Sequence, residues 1–239
     1  MQLKKASIVC LTETWLNSHV DSSLVSIPDF YMCRSDRSYR RGGGVAIYLH
    51  SSYSFVDVTH TYAVINDIDL LVIDISSLKM FLLCIYIPPH CKSNVLFDVH
   101  TLILCIIDDL LCTKPSYGAI IVGDFNHFKI GNLCDELDFV DLVQKPTRKS
   151  NVLDHIVVSK DLSDIYDTNC IVYDSPIATA DHLMLTCSPK NLVPTDIHNS
   201  IRLHKVYDFR QSNLAYLFHV VSQVNWVSLL DSFDNVDSQ

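Results

Sequence analysis

The sequence has little of what marks fibrous, membrane-spanning or secreted proteins. Its 239 residues include only six glycines and eight prolines, too few for a fibrous or low-complexity chain. The longest apolar run, LILCII at residues 102–107, ends at two aspartates and is far shorter than the roughly 18 residues that a membrane span needs. Near the N-terminus, ASIVCLT is followed directly by Glu13, which favours a strand over a signal peptide. We therefore expect no membrane segment.

The cysteines form no metal or disulfide framework that can be read from their spacing. There are nine, an odd number, with no CxxC pair and no zinc-like spacing to histidine. Cys10, Cys84, Cys105 and Cys187 lie inside apolar runs. This placement predicts that most are reduced core thiols of an intracellular protein.

Positive charge is also scarce, since the formal net charge is −9. A module that binds duplex DNA mainly through counterion release is usually basic, so the charge counts against that class. It does not count against an enzyme that collects divalent cations in an acidic cleft. One basic stretch, CRSDRSYRR, contains Arg34, Arg37, Arg40 and Arg41, and both a solvated loop and a phosphate-contacting loop fit it.

Short apolar runs bounded by turn residues predict a chain rich in strands. Strands are expected near residues 7–12, 44–49, 53–58, 68–75, 80–87, 119–123, 152–159, 168–173 and 182–187. Residues 94–111 have the period of a helix, with Ser93 as the expected N-cap. A weaker helix is expected over 208–222, after a linker at 188–205. This order predicts two sheets packed as a sandwich with helices outside.

Polar side chains follow several of these predicted strands directly. In IIVGDFNHF, at residues 120–128, Asp124 and Asn126 end an apolar strand and, being two apart, point the same way. Glu13 ends another strand, and Asp154 lies within the apolar segment NVLDHIVVS. In ATADHLMLTC, the pair Asp181-His182 stands at the start of the predicted strand. Burying an acid costs several kcal/mol unless it is paired or bound to metal. Their repeated position at strand ends therefore indicates a shared cleft.

The residue types in this set suit one kind of chemistry. Hard cations such as Mg²⁺ prefer carboxylate and amide oxygens, and a histidine oriented by a carboxylate serves as a base or stabilises charge. Together they fit metal-assisted hydrolysis of a phosphoester by an attacking water. His127 and His155, which lie next to candidate residues, are interpreted as ordinary surface or supporting residues, and Trp15 and Trp226 as packing residues rather than base-stacking platforms.

Six blocks in this order resemble the endonuclease/exonuclease/phosphatase superfamily. They are LTETWL, RRGGGVAIYL, CIYIPP, IIVGDFN, NVLDHIVVS and ADHLML, and they are most similar to the apurinic-type endonuclease domain of LINE-like, non-LTR retrotransposons. The resemblance covers residues 6–188. It implies an α/β fold, a four-layer sandwich of two mixed β-sheets flanked by helices.

The resemblance also implies roles for individual residues. It assigns metal binding to Glu13 and Asp181, with Mg²⁺ as the cofactor and Mn²⁺ as a possible substitute. It assigns contact with the scissile phosphate, activation of water and charge stabilisation to Tyr86, Asp124, Asn126, Asp154 and His182. Which of these acts as the general base stays open. Arg37, Arg40 and Arg41 are the candidate nucleic-acid contacts.

The implied reaction is the nicking of duplex DNA to leave a 3′-hydroxyl that primes reverse transcription. Such a protein acts in the nucleus on chromosomal DNA, with no membrane partner, and contacts element RNA through further sequence. The resemblance implies a nuclease domain at 1–188. Residues 189–239 would then be a linker and helical segment leading to a reverse transcriptase.

Two alternatives stay open at the level of the sequence. The chain begins close to the TET strand, whereas the family begins with a strand that carries a site asparagine. We therefore expect an N-terminally truncated domain that lacks its first strand, and one alternative is an inactive remnant without catalysis. The other is a phosphatase, deadenylase or sphingomyelinase-like member of the same fold.

Overall fold

The structure, a computed structural model, describes residues 6–37, 41–62, 65, 67–166, 170–173 and 180–190. The predicted helix at 208–222 and most of the predicted linker lie outside these residues. The division into a nuclease domain and a C-terminal segment therefore stays a prediction. No helix in the part of the chain that the structure describes is long and apolar enough to cross a membrane.

A small sheet contains the first three strands in the order β1-β3-β2. These strands are β1 (Ile8–Thr12), β2 (Phe30–Ser35) and β3 (Val45–His50). Both pairings are antiparallel. β3 is central and buried along most of its length, because it is covered by a strand on each side and by the larger sheet on one face.

The large sheet has six strands in the order β4-β5-β6-β7-β9-β8. They are β4 (Val56–Asp57), β5 (Asp69–Ile75), β6 (Met80–Tyr86), β7 (Gly118–Asp124), β8 (Phe139–Asp141) and β9 (Asp154–Ser159). Only β6 and β7 run parallel; the other pairs are antiparallel. The parallel pair needs a crossover, and helix α1 (Ser93–Thr113) supplies it.

Alternation along these strands divides the interior into two hydrophobic layers. In β6, Leu83 and Ile85 face the layer that contains α1, whereas Leu82 and Cys84 face the layer shared with the small sheet. α1 buries one stripe of its surface in the first layer: Val99, Ile103, Ile106, Ile107 and Leu110. Strands of the large sheet are apolar on both faces because each face of the sheet is covered by one of these layers. The predicted α/β sandwich is confirmed.

The remaining elements are short. They are α2 (Ile130–Leu137), α3 (Lys160–Ser163), β10 (Ile171–Tyr173) and β11 (Met184–Thr186). β10 and β11 pair antiparallel and bring the segment that carries Asp181 and His182 back beside the large sheet.

Every predicted strand overlaps an observed one, but three other predictions were wrong. Ser93 is the first residue of α1 and Lys92 is its N-cap, with no side-chain capping bond, because the chain turns one residue earlier than the Ser signal suggested. Cys105 is exposed on α1, since its place in the helical period puts it on the solvent face. Trp15 is 53% exposed and is not a packing residue.

Candidate active site

Three site residues lie side by side across the middle of the large sheet. The register pairs Tyr86 on β6 with Asp124 on β7, and Asp124 with Asp154 on β9. Residues opposite each other on neighbouring strands point to the same face. Tyr86 belongs to the hydrophobic layer shared with the small sheet, so all three side chains face that sheet at the strand ends.

Gly123 permits the close pairing of β6 and β7 at this edge. Its φ is +151° and a Cβ placed on it would lie 1.8 Å from the backbone oxygen of Ile85, which no side chain tolerates. Glycine is therefore required for the backbones to approach this closely. The approach places the next residue, Asp124, next to Tyr86.

Asp124 and Asn126 form a tight turn directly after β7. The backbone N–H of Asn126 donates to Asp124 Oδ1 at 3.0 Å, and Asn126 Nδ2 donates to the carbonyl oxygen of Ile87 at 2.9 Å. Asn126 has a φ of +44°, a conformation that asparagine tolerates better than most residues. Both side chains are more than nine-tenths buried. The hydrogen bond from the Asn126 side chain to Ile87 fixes the position of the chain just after β6.

His182 is held by Asp154 and faces Asp124. His182 Nδ1 lies 2.7 Å from Asp154 Oδ2, and His182 Nε2 lies 4.0 Å from Asp124 Oδ2. The hydrogen bond to Asp154 is the main reason that the pKa of His182 is raised, although partial burial opposes it. An imidazole anchored through Nδ1 presents Nε2 to a substrate.

Burial, reinforced by the neighbouring charge of Asp154, raises the pKa of Asp124 to about 7 against the opposing effect of His182. Asp124, Asp154 and His182 each offer one ligand atom, and these atoms lie within 4.8 Å of one another. The two carboxylates offer the oxygen ligands that a hard divalent cation such as Mg²⁺ prefers, whereas imidazole is the better ligand for softer metals. The carboxylates of the site therefore fit the cation that the sequence predicts.

Glu13 joins the same site from the small sheet. Tyr86 Oη donates to Glu13 Oε1 at 2.5 Å, and the charge of Glu13 contributes to the raised pKa of Asp124. Burial, followed by this hydrogen bond, raises the pKa of Tyr86 well above its ordinary value. Glu13 has a φ of +51°, so the backbone turns sharply where β1 ends and directs this side chain to the site.

Asp181 lies at the rim of the site. Its side chain is 60% exposed and forms an ion pair with Arg148, while Asp181 Oδ1 is 4.0 Å from His182 Nε2. The structure thus brings Glu13, Asp124, Asp154 and His182 together, with Asp181 beside them. The role of Asp181 as a metal ligand stays a prediction.

Thr147 is a positioning residue that sequence reasoning missed. Its side-chain oxygen accepts hydrogen bonds from the backbone N–H groups of Leu153, at 3.0 Å, and Asp154, at 3.1 Å. Its carbonyl oxygen accepts from the N–H of Leu183 at 2.7 Å. Fully buried, Thr147 connects the two segments that carry Asp154 and His182. The only signal in the sequence is a threonine in a polar turn, KPTR, which fits many loops.

The predicted nucleic-acid contacts differ in where they lie. Arg37 is buried and its guanidinium forms an ion pair with Asp69, which lies opposite Tyr86 in the register of β5 and β6. Arg40 lies outside the described residues. Arg41 is exposed, and its guanidinium carbon lies 5.2 Å from the ring centre of Trp15. Of the two that the structure describes, the exposed Arg41 has the placement that suits a contact with nucleic acid.

His155, which follows Asp154, supports the opposite face of the sheet. Its Nδ1 lies 2.7 Å from Asp141 Oδ2, and its ring meets Phe125 edge-on with ring centres 5.6 Å apart. Alternation along β9 turns it away from Asp154 and toward the layer that contains α1. It therefore has a structural role, as interpreted from the sequence.

We expect the metal-free protein to lose stability as the pH rises from about 5 to 8. The pKa of Asp124 in the folded state, about 7, lies above its ordinary value of 3.8. The folded state therefore binds a proton that the unfolded state has released, and this stabilisation disappears as the pH passes 7. The raised pKa of His182 has the same sign.

Thermal melts in EDTA at pH 5.5 and 8 measure this loss. Mg²⁺ should raise the Tm more at pH 8 than at pH 5.5, because a bound cation replaces the proton on the carboxylates. Asp124→Asn should remove most of the difference between the two pH values. A Tm of the parent that is the same at both would contradict the prediction.

Comparison with known proteins identifies the family. Residues 1–182 match the model of the endonuclease/exonuclease/phosphatase family, although no curated protein sequence is significantly similar to the chain. Solved structures share the fold at low identity. The endonuclease domain of TRAS1, a telomere-specific non-LTR retrotransposon, is 14% identical with a TM-score of 0.59, covering 77% of this chain and 85% of its own.

Two further structures show the same likeness. A Neisseria 3′ phosphatase, NExo, solved with a product DNA hairpin, is 14% identical with a TM-score of 0.55, covering 78% of this chain and 91% of its own. An AP endonuclease from Archaeoglobus fulgidus is 16% identical with a TM-score of 0.50, covering 79% and 91%. Because the family model spans more than half of the sequence, this chain belongs to the endonuclease/exonuclease/phosphatase family.

Proposed function

We propose that this domain is a divalent-metal-dependent endonuclease of the retrotransposon type, which nicks duplex DNA and leaves a 3′-hydroxyl. The observation that carries the proposal is the row Tyr86, Asp124 and Asp154 on three neighbouring strands, with His182 held on Asp154 at 2.7 Å. The similarity to the TRAS1 endonuclease domain supports the choice of substrate. Nuclear action and contact with element RNA stay predictions.

Asp124 and His182 have different roles in the proposed reaction, because their surroundings affect their pKa values differently. Asp124, whose pKa burial raises to about 7, accepts the proton of the attacking water. The hydrogen bond with Asp154 raises the pKa of His182, which favours the positively charged imidazolium. From Nε2 it donates a hydrogen bond to the phosphate and stabilises the charge that develops there.

Hydrolysis then proceeds by one displacement at phosphorus. The water oxygen bonds to phosphorus and the bond between phosphorus and O3′ breaks. O3′ takes up a proton from solvent water as it leaves, while Asp124 holds the proton of the attacking water, so the products are a 3′-hydroxyl and a 5′-phosphate. Glu13, which accepts a hydrogen bond from Tyr86, would hold Mg²⁺, and the bound cation would neutralise phosphate charge and favour the leaving oxygen.

Nicking of supercoiled plasmid in Mg²⁺ and in EDTA tests the proposal. We expect relaxed circles in Mg²⁺ only, and DNA ligase should reseal them, because ligase requires a 3′-hydroxyl and a 5′-phosphate. Parallel reactions contain a 3′-phosphorylated oligonucleotide or poly(A) as substrate.

The outcomes separate the competing functions. Release of phosphate or shortening of poly(A), with plasmid left intact, would replace the endonuclease by a phosphatase or deadenylase of the same fold. Activity on no substrate, together with a Tm that Mg²⁺ does not change, would leave an inactive remnant. Nicks that ligase cannot seal would contradict the proposed position of cleavage.

A further inference from the structure

Trp15 is a large aromatic side chain held at the surface beside the candidate active site. It is 53% exposed. Its indole N–H donates to Glu13 Oε2 at 3.3 Å, while the other oxygen of the same carboxylate accepts from Tyr86. One carboxylate therefore separates the exposed ring from the tyrosine that lies next to Asp124.

The backbone holds Trp15 in this position against its own preference. Its φ is +57° and that of Glu13 is +51°, a region in which bulky residues are outliers. Two hydrogen bonds maintain the turn: the N–H of Thr14 donates to the Gly44 carbonyl at 3.2 Å, and that of Trp15 to the Gly43 carbonyl at 2.9 Å. Strain of this kind is concentrated at functional sites.

Arg41 adds positive charge to the same place. Its guanidinium carbon lies 5.2 Å from the ring centre of Trp15, and the residue is exposed. An exposed aromatic ring next to a cation is the combination that binds single-stranded nucleic acid, by stacking on a base and attracting a phosphate.

We infer that Trp15 and Arg41 form a base-stacking platform for the DNA strand that is cut. This inference rests on the proposed function. Trp15 stacks against one nucleobase next to the scissile phosphate, and Arg41 contacts a neighbouring phosphate of that strand. A base inside a duplex has both faces covered, so the platform requires an unstacked base. Duplexes with an unpaired base near the cleavage position are therefore the preferred substrates.

Intrinsic fluorescence tests the stacking directly. The chain has two tryptophans, so Trp226→Phe leaves Trp15 as the only reporter. Asp124→Asn in the same chain prevents cleavage during the titration. Adding a duplex with one unpaired base should quench the fluorescence, and a fully paired duplex should quench it less. Trp15 itself is unchanged in this experiment. If neither DNA quenches the fluorescence at saturation, the inference is overturned.

Matched substitutions separate stacking from the hydrogen bond to Glu13. Trp15→Phe and Trp15→Leu both lose the indole N–H, but only phenylalanine keeps an aromatic face. We expect Trp15→Leu to weaken binding of the unpaired-base duplex by roughly 5- to 100-fold relative to the parent, and Trp15→Phe to retain most of the affinity. Equal weakening by both would overturn the inference, since the hydrogen bond would then be responsible.

Salt dependence tests Arg41. We expect Arg41→Gln to reduce the slope of log affinity against log salt by about one, as expected for the loss of one phosphate contact. An unchanged slope would overturn the role of Arg41.

Failure of this inference differs from failure of the proposed function. If Trp15→Leu binds and nicks like the parent while Asp124→Asn is inactive, the platform is wrong and the nuclease stands. If Asp124→Asn nicks at the parent rate, the proposed function is wrong.

Discussion

Asp124→Asn should lower the rate of plasmid nicking by a factor of about 10³ or more, an effect of the size seen when a central catalytic group is removed. The substitution preserves the shape of the side chain and an oxygen that accepts from the N–H of Asn126. It removes the group that accepts the proton from water and one charge of the three-residue cluster with Asp154 and His182. Activation of the attacking water is therefore lost, and the attraction of the site for a divalent cation is weakened.

Asp138→Asn is the matched control for this experiment. It makes the same chemical change at a carboxylate that is 75% exposed and paired with Lys160, away from the site. We expect it to nick at the parent rate in Mg²⁺. Melts in EDTA at pH 8 should show that Asp124→Asn is at least as stable as the parent, because it removes a buried charge next to Asp154. Nicking by Asp124→Asn within tenfold of the parent would contradict the assignment.

Arg37→Met should destabilise the domain by about 3–5 kcal/mol, the cost of leaving a buried charge without its partner. The side chains of Arg37 and Asp69 are only 4% and 7% exposed. The Arg37 guanidinium also donates to the carbonyl oxygen of Asp67 at 2.9 Å and lies 5.5 Å from the ring centre of Tyr86. Urea unfolding at pH 7 measures the loss, and the Tm should fall by on the order of 10 °C.

Two controls show whether the uncompensated charge is the cause. Arg37→Met combined with Asp69→Asn removes both charges of the pair and keeps an acceptor for the Gly44 N–H, which donates to Asp69 at 2.8 Å. The double variant should regain a large part of the lost stability. Lys160→Met removes an exposed ion pair and should leave the unfolding midpoint unchanged. A single variant Arg37→Met as stable as the parent would show that the pair contributes little.

Elements with a strong local signal were predicted well. The apolar runs that became β5, β6 and β7, and the long period of α1, lie within two residues of their predicted ends. Elements with a weak signal were missed. β2 contains an arginine, β8 has three residues, and α2 has eight residues with a glycine at its second position. Such segments become regular only because neighbouring strands or helices supply their hydrogen bonds and contacts.

The site residues likewise differ in how far a local sequence signal predicts their positions. That Asp124 and Glu13 follow buried strands is a local feature, since strand period and the cost of burying a charge can both be read along the chain. That Thr147 supports Asp154 and Leu183 depends on how a loop folds back on the sheet. No local pattern indicates such a contact.

The amino-acid sequence by itself determined which strands exist and which polar residues end them, because side-chain alternation and apolar content act over a few neighbouring positions. Only the tertiary structure decided which charges meet. Arg37 pairs with Asp69 across 32 residues and His182 with Asp154 across 28, so the packing of distant segments against the sheets selects the partners. The same packing turns Arg37 inward and leaves Trp15 and Arg41 at the surface.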